Sequence, residues 1–328
     1  PPGPTHRVRH EMVKVLSSLE VIKHYSRRLR LREIVDSFCP MRDLEDTVTH
    51  GQVIEALVGN RLTAPLPLYE IEDWARSFAV EEVYHLFAEQ LNDDRLGRAL
   101  DALCPQVESV RGAVALQAMR EFGLDASKFH WDLSSIVFEG DYDTQKEGFP
   151  LIEYGYSSNK GDDRKQLRMG LAAAQDGAVP LWHDVLSGHT ADVTTVVATM
   201  KNLQEQLQVS SFLLIGDSKL LSYENMFAID RAGNFFLGPL SARAELDREF
   251  LSLPSGKWRW LNYTSERDRK KPLQEQIQYM GQETEWKLTN PATGEPVTFR
   301  KIFIISSEER EACRKNRARQ MQRAQEDI

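Results

Sequence analysis

Cysteine is scarce in this chain and odd in number: Cys39, Cys104 and Cys313 are its only thiols. Three widely spaced cysteines make neither a disulfide scaffold nor a Cys-x2-Cys zinc site. Reduced thiols in a cytoplasmic protein are the simplest expectation. Long apolar runs are missing too. Stretches such as residues 212–215 fall far short of the ~20 apolar residues that span a bilayer. No N-terminal segment joins a basic start to an apolar region of roughly 7–15 residues, so neither a secretory signal nor a membrane partner is expected.

What is there suits a protein with a real core: 41% apolar and 27% charged residues. The 328 residues are enough for two domains, or for one large domain carrying an insertion. The net charge of −8 argues against a pure nucleic-acid coat. The charge is unevenly spread, however. Residues 1–32 hold eight Lys/Arg against two acids, and residues 33–100 hold five against fourteen. Residues 310–323 carry six bases and one acid. Local phosphate contacts fit this pattern, and so do solvated helix faces.

The first third reads as helices. Val21, Ile22, Tyr25 and Leu29 fall at helical spacing. Thr49-His-Gly-Gln52 has the form of a capping box. It opens a segment striped by Val53, Ile54, Leu57, Val58 and Leu62, which Pro65 and Pro67 end. Asn92-Asp-Asp-Arg95 starts another helix, with Leu96, Leu100 and Leu103 on one face and acids in the first turn, where the macrodipole favours them. These segments predict a helical domain over residues 1–120. Its stripes serve either as its own core or as a partner groove.

From about residue 127 the pattern turns to strands. Residues 129–138 alternate and are rich in aromatic and branched side chains. Residues 151–157 and 167–174 are further strands, with Asp176-Gly177 as a turn. A helix follows from Asp192, striped by Val193, Val196, Val197, Met200, Leu203 and Leu207. Residues 211–217 form a short apolar strand ending in an acid, the kind buried on both faces of a sheet. A helix over 223–231 and a strand over 234–240 complete an α/β domain with a mixed sheet over residues 121–240. Residues 241–328 read as a β-rich region. It contains Trp258 and Trp260, a hairpin over 286–305 around Pro291-Ala-Thr-Gly294, and a charged helix from Ser307. The two tryptophans serve either as core or as platforms for unpaired bases.

Two aspartates carry the chemical interest. Asp132 lies inside the first strand, where an acid is disfavoured unless it is paired or binds a metal. Asp217 lies at the carboxyl end of a central strand, the usual ligand side of an open α/β sheet. If these strands are neighbours, the two carboxylates converge on one hard cation. Mg2+ is commonly held by one or two carboxylates plus waters and substrate phosphates. For either acid alone, a helix cap or a solvated strand edge explains it equally well.

A set of segments resembles bacterial insertion-sequence transposases of the DDE type. They are Thr49-His-Gly-Gln-Val-Ile-Glu-Ala-Leu57, Leu91-Asn-Asp-Asp-Arg-Leu-Gly-Arg-Ala-Leu-Asp-Ala-Leu103, Arg120-Glu-Phe-Gly-Leu124, His130-Trp-Asp132, Tyr154-Gly-Tyr-Ser157, Gly188-His-Thr-Ala-Asp192 and Gly216-Asp-Ser218. They occur in the order expected of that family, over roughly residues 15–240. The resemblance implies a helical N-terminal domain for DNA binding or dimerisation, then an RNase H-like catalytic core, then part of an inserted α+β region. It implies Asp132 and Asp217 as catalytic acids and metal ligands, with Mg2+ or Mn2+ as cofactor. The partners it implies are DNA, as transposon ends and target, and a second copy in a homodimer. The location it implies is bacterial and nucleoid-associated. Where the family has Asn in its Gly-Asn-x-x-Asp segment this chain has His189, to which no role is assigned.

The family's third acid, in the pattern Tyr-x2-Arg-x3-Glu, has no counterpart. Tyr263, Arg267 and Lys271 come nearest, one residue out of register and with Lys in the acid's place. The resemblance therefore predicts a chain incomplete at its C-terminus, with phosphoryl transfer on DNA as its chemistry and little activity alone. The alternative is a degenerate remnant that only binds DNA or oligomerises. An RNase H-like nuclease is a further reading. A Gly-Asp-Ser esterase built on Ser218 is excluded: its histidine must lie near the C-terminus, and all eight histidines lie at or before His189.

Overall fold

The computed structural model describes residues 13–41, 48–142, 148–155, 164–190, 192–291 and 293–326. The chain forms two compact units, residues 1–239 and 240–328. The first opens with helices α1 (Leu19–Arg28), α2 (Leu31–Phe38), α3 (His50–Thr63), α4 (Ile71–Ser77), α5 (Val80–Tyr84), α6 (Asp93–Leu103) and α7 (Val107–Phe122). The capping box before α3 is real. The Gln52 backbone N–H donates to the Thr49 hydroxyl at 3.2 Å, and the Thr49 N–H donates to the Gln52 side chain at 2.9 Å. Asn92 likewise caps α6, accepting from the Arg95 N–H at 3.0 Å.

Helix α3 is central rather than one-sided. Val53, Ile54 and Leu57 are buried as expected, but so are Glu55, Gly59 and Asn60, while Leu62 is exposed. The buried Glu55 carboxylate is held by Lys23 and Arg32, both at 2.7 Å, which keeps its charge paired in the interior. The stripe expected on α1 is only partly a core face: Val21 and Tyr25 are exposed, Ile22 and Leu29 are half-buried, with Leu29 packed on an apolar cluster, and Leu19 and Ser26 are the buried residues. Tyr25 instead reaches Phe122 at the end of α7, with ring centroids 6.2 Å apart.

The sheet follows α7. Its strands are β1 (Lys128–Phe138), β2 (Glu153–Tyr154), β3 (Lys165–Ala174), β4 (Pro180–Ser187), β5 (Leu213–Ile215) and β6 (Phe235–Leu237). Helix α8 (Asp192–Leu207) precedes β5, and α9 (Tyr223–Arg231) precedes β6. The hydrogen-bonded order is β4-β3-β1-β5-β6, with β2 also on β3. The β1, β3 and β4 pairings are antiparallel, and β1, β5 and β6 run parallel. This is an α/β arrangement, a mixed sheet behind a helical N-terminal region, as the sequence led us to expect.

Its strand assignment needs a correction. The second strand of the meander was expected at 151–157, but β2 spans two residues there, and residues 156 and 157 lie outside the described residues. The third long strand is β4, which the sequence did not reveal. It opens on Pro180, and its Trp182-His-Asp184 centre hides the alternation. One face of the sheet packs on α7 and α8 through Phe129, Trp131, Ala172, Trp182, Met200 and Leu214.

The second unit contains α10 (Ala244–Ser252), β7 (Arg259–Leu261), α11 (Glu266–Arg269), β8 (Tyr279–Thr289), β9 (Pro296–Ser306) and α12 (Ser307–Glu326). Strands β7-β8-β9 form an antiparallel sheet. The expected hairpin is present, closed at Gly294, whose φ of +72° is a conformation glycine adopts without strain. The two tryptophans part company: Trp258 packs edge-on against Phe250 at 5.8 Å, whereas Trp260 is 65% exposed. Among the described residues no helix is long and apolar enough to cross a membrane.

Candidate active site

The alternation of β1 decides where Asp132 points. Phe129 and Trp131 are buried against the helices, so His130 and Asp132 occupy the opposite, exposed face. The acid in the strand is therefore solvated, and its position carries no burial penalty. Trp131 lies flat across β3, and Gly170 makes that possible: an added methyl there would overlap the indole ring.

Strand β5 is only three residues long, but its register sets the site. It pairs in parallel with β1 as Lys128 with Leu213, Phe129 with Leu214, and His130 with Ile215. β5 ends at Ile215, and Asp217 follows that last paired residue by two positions, as Asp132 follows His130 in β1. Neighbouring strands lie about 4.8 Å apart. Gly216 allows the close approach, since a Cβ there would stand 3.1 Å from Leu220 and 3.4 Å from the Trp131 carbonyl oxygen. The Gly216 N–H donates to the Leu237 carbonyl at 3.1 Å, and the Leu220 N–H to the Asp217 carbonyl at 3.1 Å. The chain is thereby anchored on both sides of Asp217.

The two aspartates line one small cleft of about 20 Å³, with Trp131, Leu133, Val196, Gly216 and Leu220 as its other walls. That is room for about one water or ion. Both carboxylate residues are exposed. Asp132, inside β1, and Asp217, just past the carboxyl end of the adjacent parallel strand β5, both border this opening, and two carboxylates beside a space that admits water suit a hard divalent cation. Among the described residues no group of three or more His, Cys, Asp or Glu side chains gathers into a metal cage.

Sequence reasoning singled out both acids but not the other residues that line the cleft with them. Val196 was legible as part of the α8 stripe, whereas Leu220 carries no local signal. Other residues singled out from the sequence lie elsewhere. His189 follows β4 and contacts Glu153 of β2. Lys271, which stands where the third acid was sought, pairs with Asp268 at 2.7 Å beside α11.

A second cluster joins the helices to the sheet. Arg111 of α7 stacks on Trp182 of β4, 3.6 Å from its ring centroid, and sits 3.6 Å from Asp184. Burial lowers the Arg111 pKa from its ordinary value, with Asp184 opposing. Such a desolvated cation–aromatic contact tethers α7 to the sheet edge.

A family model described as a domain of unknown function (DUF4277) matches residues 11–110. No curated protein matches the chain. Among solved structures, the chain is similar to a piggyBac transposase in a synaptic complex with hairpin DNA, at 10% identity and a TM-score of 0.37. That match covers 90% of this chain and 61% of the other, so the chain spans about 61% of that relative's length. It is also similar to Mos1 transposase in a paired-end complex with the left transposon end (8% identity, TM-score 0.24, 64% and 73% covered). The Mos1 strand transfer complex is a third such structure (14% identity, TM-score 0.24, 71% and 80% covered).

Proposed function

We propose that this chain carries the catalytic core of a DDE-type DNA transposase, a polynucleotidyl transferase acting at the ends of a mobile element. The observation that supports the reading is that Asp132 and Asp217 line one cleft beside the parallel β1–β5 pair, on a mixed sheet of order β4-β3-β1-β5-β6. The resemblance of the segments around both acids supports it further.

In this reading Asp132 and Asp217 would hold Mg2+ or Mn2+, which would supply Lewis acidity for an in-line phosphoryl transfer. The carboxylates provide the fixed negative charge. Trp131, Leu133 and Val196 wall the cleft on its apolar side and limit the water that reaches it. The first displacement has water attack a phosphorus at the element end and frees a 3′-hydroxyl. The second has that hydroxyl attack a phosphodiester of target DNA. A homodimer holding paired ends is part of the proposal. The Tyr-x2-Arg-x3-Glu acid has no counterpart in these residues, so residues 1–328 alone are expected to bind metal and DNA but to transfer strands poorly.

The test is Mn2+ binding by the full chain, read by electron paramagnetic resonance and by quenching of Trp131 fluorescence. Asp132→Asn and Asp217→Asn should each weaken Mn2+ at least about tenfold, and the double variant no more than the worse single, because the pair shares one ion. Unchanged Mn2+ affinity in both variants would remove the basis of the reading. Nicking and strand-transfer assays on end-containing DNA then separate the alternatives. Efficient strand transfer by residues 1–328 would show that two acids suffice. DNA binding that ignores both aspartates, with no metal site, would favour a remnant that only binds DNA.

A further inference from the structure

Helix α12 is exposed on every side. From Ser307 to Arg323 no residue is buried or even half-buried, although the helix runs for 20 residues, about 30 Å at 1.5 Å per residue. It is anchored at its start: Ser306 accepts from the Glu309 N–H at 3.1 Å, the Ser307 N–H donates to the Gln278 carbonyl at 2.8 Å, and the Gln278 N–H donates to the Ser307 hydroxyl at 3.1 Å. A helix that is polar all round bridges through solvent, is held by many side-chain pairs, or is not stable by itself, in which case a bound partner would secure it. Lys315 pairs with Glu311 on this helix at 3.7 Å, and both partners are exposed. Such a pair is worth little.

The arrangement of its cations says what the partner is. At about 100° per residue, Arg310, Arg314 and Arg317 fall in one stripe along the helix. Lys315, Arg319 and Arg323 fall in a second stripe about 180° away. A flat anionic surface needs one stripe. Two opposed stripes fit a helix lying between two rows of negative charge. The major groove of B-DNA is about 12 Å wide, admits one α-helix, and is walled by the phosphates of both strands. Between the stripes, on one flank, stand Asn316 and Gln320, four residues apart. These are the amide side chains that pair with adenine edges in that groove. At the root of the helix, Arg310 and Arg314 border a groove shared with the exposed Trp260 and the half-buried Met280 and Ile305, so the first stripe continues toward the sheet of the same unit. The acids Glu308 and Glu309 sit in the first turn, where they favour the helix dipole.

We propose that α12 is a duplex-DNA-binding arm that lies in the major groove, its two basic stripes each contacting the phosphates of one strand. The inference deepens the transposase reading by naming where the chain grips duplex DNA, and rests on it for the choice of DNA.

The test uses the full chain and a DNA duplex of about 30 base pairs, roughly three helical turns, with binding followed by fluorescence anisotropy over a salt series. Three variants are needed: Arg310→Ala with Arg314→Ala and Arg317→Ala; Lys315→Ala with Arg319→Ala and Arg323→Ala; and all six together. Alanine is the best helix former, so the helix survives, which circular dichroism checks. Gln variants at the same positions repeat the test. Each phosphate contact carries about 0.9 of the slope of log K against log salt. Each single-stripe variant should therefore lower the slope by up to about 2.7 and weaken binding at least about tenfold. Duplex RNA, whose deep and narrow major groove side chains cannot read, should bind more weakly and ignore the stripes. Unchanged binding in both single-stripe variants, sensitivity to one stripe alone, or RNA binding with the same stripe dependence would each overturn the arm. Mn2+ affinity is read on the same variants and should not move. Stripe-dependent DNA binding without a metal site at Asp132 and Asp217 would leave the arm standing and defeat the catalytic reading.

Discussion

Tyr84 is fully buried, and among the described residues its hydroxyl has no hydrogen-bond partner. Burial pushes its phenol above the ordinary value, and the charge of Glu55 pushes it further. A buried unmade hydrogen bond costs about 1–3 kcal/mol. Tyr84→Phe is accordingly expected to be neutral or to stabilise by up to about 1 kcal/mol. Gly59 faces the same oxygen: a Cβ there would lie 2.5 Å from it. Gly59→Ala should cost about 1–3 kcal/mol despite alanine's better helix propensity. In the Tyr84→Phe background much of that cost should vanish. Urea unfolding of the four proteins gives the coupling, and additive costs would show that the hydroxyl is not the obstacle. Nothing in the sequence announces this pair, because Gly59 reads as an unremarked glycine within a helical stripe. Asp132 and Asp217 were legible, since an acid within a strand and an acid ending an apolar strand each break a local pattern. Why Asp132 is tolerated was not. Its strand has one exposed face, and the acid is on it.

At the scale of elements, β1 and β3 are joined by a fit that passes through the site. Trp131 walls the cleft and crosses Gly170 on the neighbouring strand. Gly170→Ala touches neither aspartate, yet it must push the indole aside. It is expected to destabilise by about 1–3 kcal/mol, to shift Trp131 emission and to weaken Mn2+ binding. Retention of Mn2+ affinity together with a clear loss of stability would mean that the wall is dispensable. The capped starts of α3 and α6 were readable because capping uses residues three apart in the chain. The β8–β9 hairpin was readable because its turn residues sit between two alternating runs. Strand β4 was not, since Pro180 and the polar residues at its centre match no short-range template. It is a strand because β3 offers it an edge.

For the whole molecule, the division into residues 1–239 and 240–328 makes the stretch around 239–243 the place where the chain passes between two separately packed units. Ser241, Ala242 and Arg243 are exposed there. Limited trypsin digestion is expected to cut early after Arg243 and to leave the first unit's sheet resistant. First cuts within β1 or β3 would contradict that organisation. The helical part and the sheet of the first unit have separate apolar clusters, with the Arg111–Trp182 stack bridging α7 and β4.

Local chemistry alone determined much of this: the caps of α3 and α6, the alternation of β1, the closing turn before β9, the charge pattern of α12, and the identity of the two acids. All depend on residues within one or two turns or pleats of each other, where spacing in the chain is spacing in space. The tertiary structure decided the rest. Asp132 and Asp217 border one cleft because a three-residue strand pairs with β1 in one register, with Phe129, Trp131 and Leu214 buried. A slip of one residue would turn either acid to the opposite face. That register is fixed by non-local hydrogen bonds and packing between segments far apart in the chain, and no window of sequence contains both.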